Sequence, residues 1–262
     1  MTADPARPTL LTRRSLNEPL PASAHPAPVA AHKDPADAGS TPGTRQRRKE
    51  ARPQELLQSA LHLFVEHGFA ATRIEQVAQR AGVSKGTLYL YYPSKEELFK
   101  AVVRENIASL IAEGEEIARS FEGSSSELLS FLLHTWWDRV GNTATAGIHK
   151  IVLSEVRNFP ELAQFYSDEV IIPADRLFSG CVQRGIERGE FRAMPLHEVA
   201  HALMAPLIFM ALHRHSFGCC PVHGGVEVDP ILMLNTHLDL VLRGLEVRSA
   251  AAVQAPSHTA AP

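Results

Sequence analysis

TRIEQVAQRAGVSKGTLYLYYP, residues 72–93, holds two short helical patterns separated by a glycine. Ile74, Val77, Ala78 and Ala81 recur at helical spacing and mark the buried stripe of the first. Thr72 with Glu75 three positions later reads as a capping box, in which hydroxyl and carboxylate satisfy the free amides of the first turn. Gly82 breaks this helix, and Val83 plugs the corner. Ser84 caps a second helix from Lys85 to about Tyr91, and Pro93 ends it. Two short helices joined by Ala81-Gly-Val-Ser84 make a helix-turn-helix. Its second helix would present Lys85, Thr87, Tyr89 and Tyr91 to a major groove. A plain helical hairpin with no DNA role has the same geometry.

The flanks extend the helical pattern. Leu56, Leu57, Ala60, Leu61, Phe64 and Val65 share one face of a preceding helix, with Pro53 suited to its first turn and Gly68 to its end. Ser94-Lys-Glu-Glu97 is a second capping box, opening a long helix through Leu98, Val102, Ile107 and Ile111. Further helices are expected over 128–140, 148–157, 160–188 (kinked or split at Pro173), 196–215 and 231–247. No strand alternation of useful length and no internal repeat is present, so the fold class is all-α: a three-helix helix-turn-helix domain followed by a helical ligand-binding and dimerisation domain. The expected divisions are a disordered tail 1–44, a DNA-binding domain 45–98, an effector and dimerisation domain 99–249, and a second tail 250–262.

Charge supports the same division. The net charge is −3, which by itself argues against a nucleic-acid partner. Residues 45–104, however, carry 11 Lys/Arg and 6 Asp/Glu, a net of +5, and residues 105–262 carry 11 and 19, a net of −8. One block suits a polyanion and the remainder does not. The run Arg45-Gln-Arg-Arg-Lys49 with Arg52 is either a solvated segment or a phosphate-contacting arm.

Ala60-Leu-His-Leu-Phe64, Gly68-Phe-Ala-Ala-Thr72, Ile74-Glu-Gln-Val-Ala78, Ala81-Gly-Val-Ser-Lys-Gly-Thr-Leu-Tyr89 and Tyr92-Pro-Ser-Lys-Glu-Glu-Leu98 together resemble the DNA-binding domain of the TetR (tetracycline-repressor) family. The resemblance implies a nine-helix homodimer whose first three helices bind operator DNA and whose later helices hold an inducer pocket and the dimer interface. It carries DNA-contact roles onto Thr72, Lys85, Gly86, Thr87, Tyr89, Tyr91 and Lys95, to which Arg73, Ser84 and Tyr92 are added as neighbours on the same surface. Leu90 departs from the second tyrosine of many members, and Tyr91 from a common histidine. Both departures bear on operator sequence. Lys150-Ile-Val-Leu-Ser-Glu155 and Phe159-Pro-Glu-Leu162 also resemble effector domains of TetR-like efflux regulators.

In the C-terminal half, His134, Trp136, Trp137, Glu155, Phe165, Phe178 and Phe209 are the candidate ligand-binding residues, with Asp138 as a further polar anchor. An aromatic stripe at helical spacing is more often core than pocket. Adjacent Trp136 and Trp137 cannot both face one way, so one should turn to a pocket or to the surface. Leu203, Leu207, Leu234, Leu238 and Leu242, with small Ala202, suggest a dimer built from the last two helices of each subunit. His213, His215, Cys219, Cys220 and His223 lie within eleven residues and offer an alternative metal- or thiol-sensing loop. Their spacing matches no zinc-finger pattern, so no metal site is assigned.

Catalytic signatures are missing: no phosphate loop, no HExxH, no nucleophile elbow. The reading is therefore of a non-enzyme without cofactor. Its expected partners are double-stranded operator DNA, a small apolar effector and a second copy of itself, and its regulated genes those of efflux or detoxification. Three cysteines, no apolar leader core, and a longest apolar stretch (199–212) broken by His201 and Pro206 point to a cytoplasmic protein without membrane contact.

Overall fold

The computed structural model describes residues 42–155, 157–217 and 229–247, with residues 42–52 and 217 described by backbone alone. In chain order the helices are α1 (Pro42–His67), α2 (Ile74–Arg80), α3 (Lys85–Tyr91), α4 (Lys95–Val103), α5 (Ser109–Ser120), α6 (Ser125–Trp136), α7 (Gly147–Glu155), α8 (Pro160–Tyr166), α9 (Ile172–Glu187), α10 (Leu196–Phe217) and α11 (Pro230–Leu245). A π-helical turn, Arg104–Ala108, fuses α4 and α5 into one rod, and another, Ser167–Ile171, fuses α8 and α9. The described residues thus form nine rods. A single antiparallel bridge, Phe191 to Glu246, pins the α9–α10 connection to the end of α11.

Four sequence expectations change. Helix α1 begins at Pro42 rather than Pro53, which lies inside it. The Arg, Gln, Lys and Glu that precede Pro53 are strong helix formers, and the proline forfeits one intrahelical bond. The basic run is therefore helical. The rest of the 1–44 tail and the 250–262 tail lie outside the described residues. The break expected at Pro173 appears one turn upstream, as the π-turn ending at Ile171: proline has no N–H to continue the ladder. Thr72 does not cap α2. Its hydroxyl donates to the carbonyls of Gly68 at 2.7 Å and Leu63 at 3.1 Å, and the cap position passes to Arg73, whose amide donates to Gln76 Oε1 at 2.9 Å. By length and composition, Leu196–Ser216 is apolar enough to cross a membrane, longer than the interrupted stretch suggested. In this fold Val199, Ala200, Leu203, Leu207, Met210 and Ala211 are buried against the other helices.

One apolar core runs through the whole described body. Near the first helices it is aromatic. Phe69 meets Phe64 at 5.7 Å, Phe99 at 5.3 Å and Phe159 at 4.9 Å between ring centroids, so the α1–α2 loop packs on α1, on α4 and on the residue before α8. Gly147 brings α7 onto α1: a Cβ there would stand 2.6 Å from a Val65 methyl. The helix-turn-helix region is thereby seated on the C-terminal helices by direct packing.

Candidate functional site

The turn between α2 and α3 requires Gly82, at φ +66°, a left-handed conformation that costs other residues energy. Ser84 then caps α3: its Oγ accepts from the Thr87 amide at 3.0 Å and lies 2.8 Å from the Thr87 hydroxyl. Leu88 is the fully buried anchor of α3. That anchoring leaves Lys85, Gly86, Tyr89, Leu90 and Tyr91 exposed, with Thr87 and Tyr92 half-buried. Lys85 forms an ion pair with Glu75 of α2 and lies 5.8 Å from the Tyr89 ring centroid. The pair holds the Glu75 carboxyl below its ordinary range and the Lys85 ammonium above its own. Both side chains are exposed, so the pair opens at little cost when a stronger anion arrives. Arg73, at the head of α2, is exposed beside them.

Two expected DNA contacts take other roles. Thr72 is buried, with its hydroxyl committed as above. Lys95 turns inward: its Nζ donates to the carbonyls of Phe69 at 2.9 Å, Ala70 at 3.1 Å and Thr72 at 3.2 Å, and sits 4.6 Å from the Phe69 ring centroid. An ammonium has three N–H donors, and these three carbonyls take them. Lys95 therefore clamps the α1–α2 loop and has no donor left for a phosphate. Leu90, which the sequence marked only as a departure from the family pattern, is 86% exposed on α3, an unusual placement for an apolar side chain.

The second site is a cavity of about 540 Å³ walled by α5, α6, α7, α8, α9 and α10 and by the π-turns. Ile107, Ile111, Leu132, Val152, Val170 and Phe178 give it an apolar surface. Of the expected ligand residues, Trp136 and Phe178 line it. Trp137 is buried in the core against Gly141, which settles the tandem tryptophans as one wall residue and one core residue. Phe165 is buried elsewhere, beneath the Arg104 guanidinium at 5.0 Å. Phe209 is 63% exposed and outside the wall. His134 bonds the Ser130 carbonyl at 2.7 Å and Asn235 Oδ1 at 2.9 Å, joining α6 to α11. Asp138 is exposed and outside the wall. Glu155 faces the DNA-binding half, where its Oε1 accepts from the Ala70 amide at 3.3 Å. Aromatic side chains are pulled to core and surface as readily as to a cavity, so identity alone did not separate them.

The polar residues of the wall are ones that the sequence did not single out for binding. His149 and Tyr166 are both buried, and His149 Nδ1 lies 2.5 Å from the Tyr166 hydroxyl. Burial lowers the His149 pKa to about 4, with His215 adding to the effect, and pushes the Tyr166 phenol well above its usual range. The imidazole is neutral and the phenol protonated at physiological pH. Arg139 reaches the cavity paired with Glu113 through both guanidinium ends. Thr135 of α6, Asp175 of α9 and His201 of α10 complete the polar wall.

Of the sensing loop, Cys219, Cys220 and His223 lie outside the described residues. His213 and His215 sit on the last turns of α10, where His215 Nε2 is 3.2 Å from the Thr143 carbonyl. Among the described residues no group of three or more His, Cys, Asp or Glu is placed to hold a metal. Cys181 is buried, and burial raises its thiol to about 11.

A family model described as bacterial regulatory proteins, tetR family, matches residues 56–102, the end of α1 through α4. Those residues carry the DNA-binding domain of the TetR family. The protein is a DNA-binding transcriptional regulator with that family's helix-turn-helix. Along most of its length it is similar to the transcriptional repressor KstR2 of Rhodococcus jostii, 28% identical over 198 residues that cover 75% of this chain and 92% of the relative. Over the DNA-binding end it is 47% identical to the transcriptional regulator RutR of Escherichia coli, a match covering 26% of this chain and 32% of RutR. Its fold is similar to the solved structure of the ketosteroid transcriptional regulator KstR2 of Mycobacterium tuberculosis, with a TM-score of 0.57, 22% identity, and coverage of 75% of this chain and 96% of the other.

Proposed function

We propose that this TetR-family regulator is a repressor that grips operator DNA as a homodimer and releases it when a small apolar ligand fills the cavity. The observation that carries the reading is a shared corner. Helices α7 and α8 supply cavity wall through His149, Val152 and Tyr166, while Glu155 and Phe159 between them hold Ala70 and Phe69 of the DNA-binding half. A ligand that favours one position of that corner biases the helix-turn-helix, and by linkage DNA weakens ligand binding by the same factor. The repressor sense is supported by the name of the Rhodococcus relative. The regulated set this suggests is genes that export, detoxify or break down the ligand.

In this reading residues 45–98 serve DNA and 99–249 serve ligand and dimer. Arg73, Ser84, Lys85, Thr87, Tyr89, Tyr91 and Tyr92 meet operator backbone and bases, and Gly86 lets the phosphate backbone come close. Among the described residues nothing crowds Gly86, whose nearest neighbour to an added Cβ is Ser84 Oγ at 3.8 Å. Leu90 meets a thymine methyl. The dimer uses the outer faces of α10 and α11. Leu203, Leu207, Leu234 and Leu238 are buried within one chain and cannot form it. Exposed Phe209, Leu232 and Leu240, with Ala202 and Ala205, replace them.

The test couples footprinting on selected genomic DNA with ligand release. A symmetric protection of two half-sites, lost on adding an apolar effector, is expected. In Ala174→Trp, which fills the cavity wall, DNA binding should persist and release should fail. Release undiminished in Ala174→Trp would place the effector elsewhere.

A further inference from the structure

Two wall residues carry buried polar atoms that have no hydrogen-bond partner among the described residues: His149 Nε2 and Asp175 Oδ1. They come from different helices, α7 and α9, in a surface that is mostly apolar. Leaving such atoms unpaired is costly, and in a ligand site that cost falls away when the ligand supplies what is missing.

Hydrogen-bond economy sets what each atom wants. The Tyr166 hydroxyl keeps its proton, and its bonding partner is His149 Nδ1 at 2.5 Å. If the hydroxyl donates to Nδ1, the imidazole carries its own hydrogen on Nε2. The opposite tautomer would strand both the Tyr166 hydrogen and the Nε2 lone pair, so it is disfavoured. His149 therefore offers an N–H donor. Asp175 is the complement. Its Oδ2 takes the His197 Nδ1 contact at 2.6 Å. Its Oδ1 stands 3.7 Å from His201 Nδ1, beyond a hydrogen bond, and that nitrogen is already 2.7 Å from the His197 carbonyl. Asp175 therefore offers an acceptor.

Charge narrows the class further. Arg139 is the wall's guanidinium, and Glu113 already holds both of its ends. An anionic ligand would leave water for a largely apolar space, where it would have to displace Glu113 from Arg139 and face the Asp175 carboxylate.

We propose that the cavity's ligand is an uncharged, largely apolar hydroxycarbonyl compound, its carbonyl accepting from His149 and its hydroxyl donating to Asp175. This deepens the effector-site reading and rests on it. The volume of about 540 Å³ suits a molecule of fused rings or a folded chain.

The chain's two tryptophans report binding directly, since Trp136 is in the wall and stacks on His149 at 5.8 Å between centroids. Fluorescence titration of the full chain would use four compounds on one fused-ring skeleton: the hydroxyketone, the ketone without the hydroxyl, the alcohol without the ketone, and the acid in which a carboxylate replaces the ketone. The hydroxyketone should bind tightest, with each deletion about tenfold weaker and the acid weaker still. Asp175→Ala should erase the advantage of the hydroxyl and keep that of the ketone. His149→Phe should do the reverse. Tyr166→Phe, which spares the imidazole and removes the proton that sets its tautomer, should shrink the ketone's advantage alone, and it decides the matter if His149→Phe does not fold. An acid that binds as tightly as the hydroxyketone, or preferences unmoved in these variants, would overturn the proposal. If none of the four binds while an unrelated apolar compound releases operator, and Ala174→Trp blocks that release, the hydroxycarbonyl class falls and the effector-site reading stands.

Discussion

The tip formed by α2 and α3 and the cavity behind α7 work in opposite ways. At the tip, the proposed function lies in what projects: Lys85, Tyr89, Leu90 and Tyr91 stand out because Leu88 is buried and Gly82 turns the chain. In the cavity, the proposed function lies in what six helices fail to fill. The tip is built from one contiguous stretch, and its projecting side chains, unlike Leu88 and Gly82, are not part of the core. The cavity is built from residues 107–208, and most of its lining also belongs to the core. The difference teaches that mutations should separate function from stability at the tip and confound them at the cavity.

The largest expected effect tests the boundary between core and surface. Leu238→Arg would bury an unpaired charge inside one chain and should cost more than about 4 kcal/mol, abolishing the folded protein. Leu240→Arg, at a position 68% exposed two residues on, should leave the helical circular dichroism unchanged and give monomers by light scattering. If both variants stay folded and dimeric, the assignment of α11's two faces is wrong.

Next is the pH dependence of the cavity. His149 has a folded pKa of about 4 against an ordinary 6.5. Between these values the unfolded chain binds a proton that the folded one refuses. Stability is full above pH 6.5 and falls as pH drops towards 4, by about 3 kcal/mol if no other group intervenes. Chemical denaturation across this range should show the slope in the native protein and a flatter one in His149→Phe. Equal slopes would mean that the imidazole is not held neutral.

A pair of lysines sharpens the contrast within the DNA-binding half. Lys95→Ala should remove the loop clamp, lowering stability by about 2 kcal/mol and operator affinity along with it, with little change in salt dependence. Lys85→Ala should change stability by less than about 0.5 kcal/mol and reduce the log–log salt slope by about one. Thermal melts and salt titrations check both; the reverse pattern would return Lys95 to the DNA.

The smallest effect concerns readout. Leu90→Ala should weaken preference at one base pair by about 0.8 kcal/mol, the worth of one apolar group's burial, without changing the salt slope. Binding selection on randomised operators would show it as a relaxed thymine position. An unchanged preference would leave Leu90 as an exposed side chain without a base partner.

The sequence by itself determined the all-α class, the helix-turn-helix, the turn glycine and the cap at Ser84. These depend on local rules, helical periodicity and turn chemistry, that act within a few residues of one another. It also marked the exposed face of α3, because that helix is too short to hide more than one anchoring side chain. Tertiary structure decided the rest. Thr72 and Lys95 carry the right residue types for phosphate, yet backbone carbonyls of the α1–α2 loop take their donors. The leucines of α10 and α11 recur at helical spacing whether they face a partner or their own core, and packing alone says which. His149 and Asp175 are 26 positions apart and unremarked by any motif. What unites them is that each is a polar group buried in a cavity wall with one atom left unsatisfied. Periodicity tells which residues share a face of their own helix; it carries no information about the neighbour that face will meet, and burial, partners and empty space are properties of the neighbour.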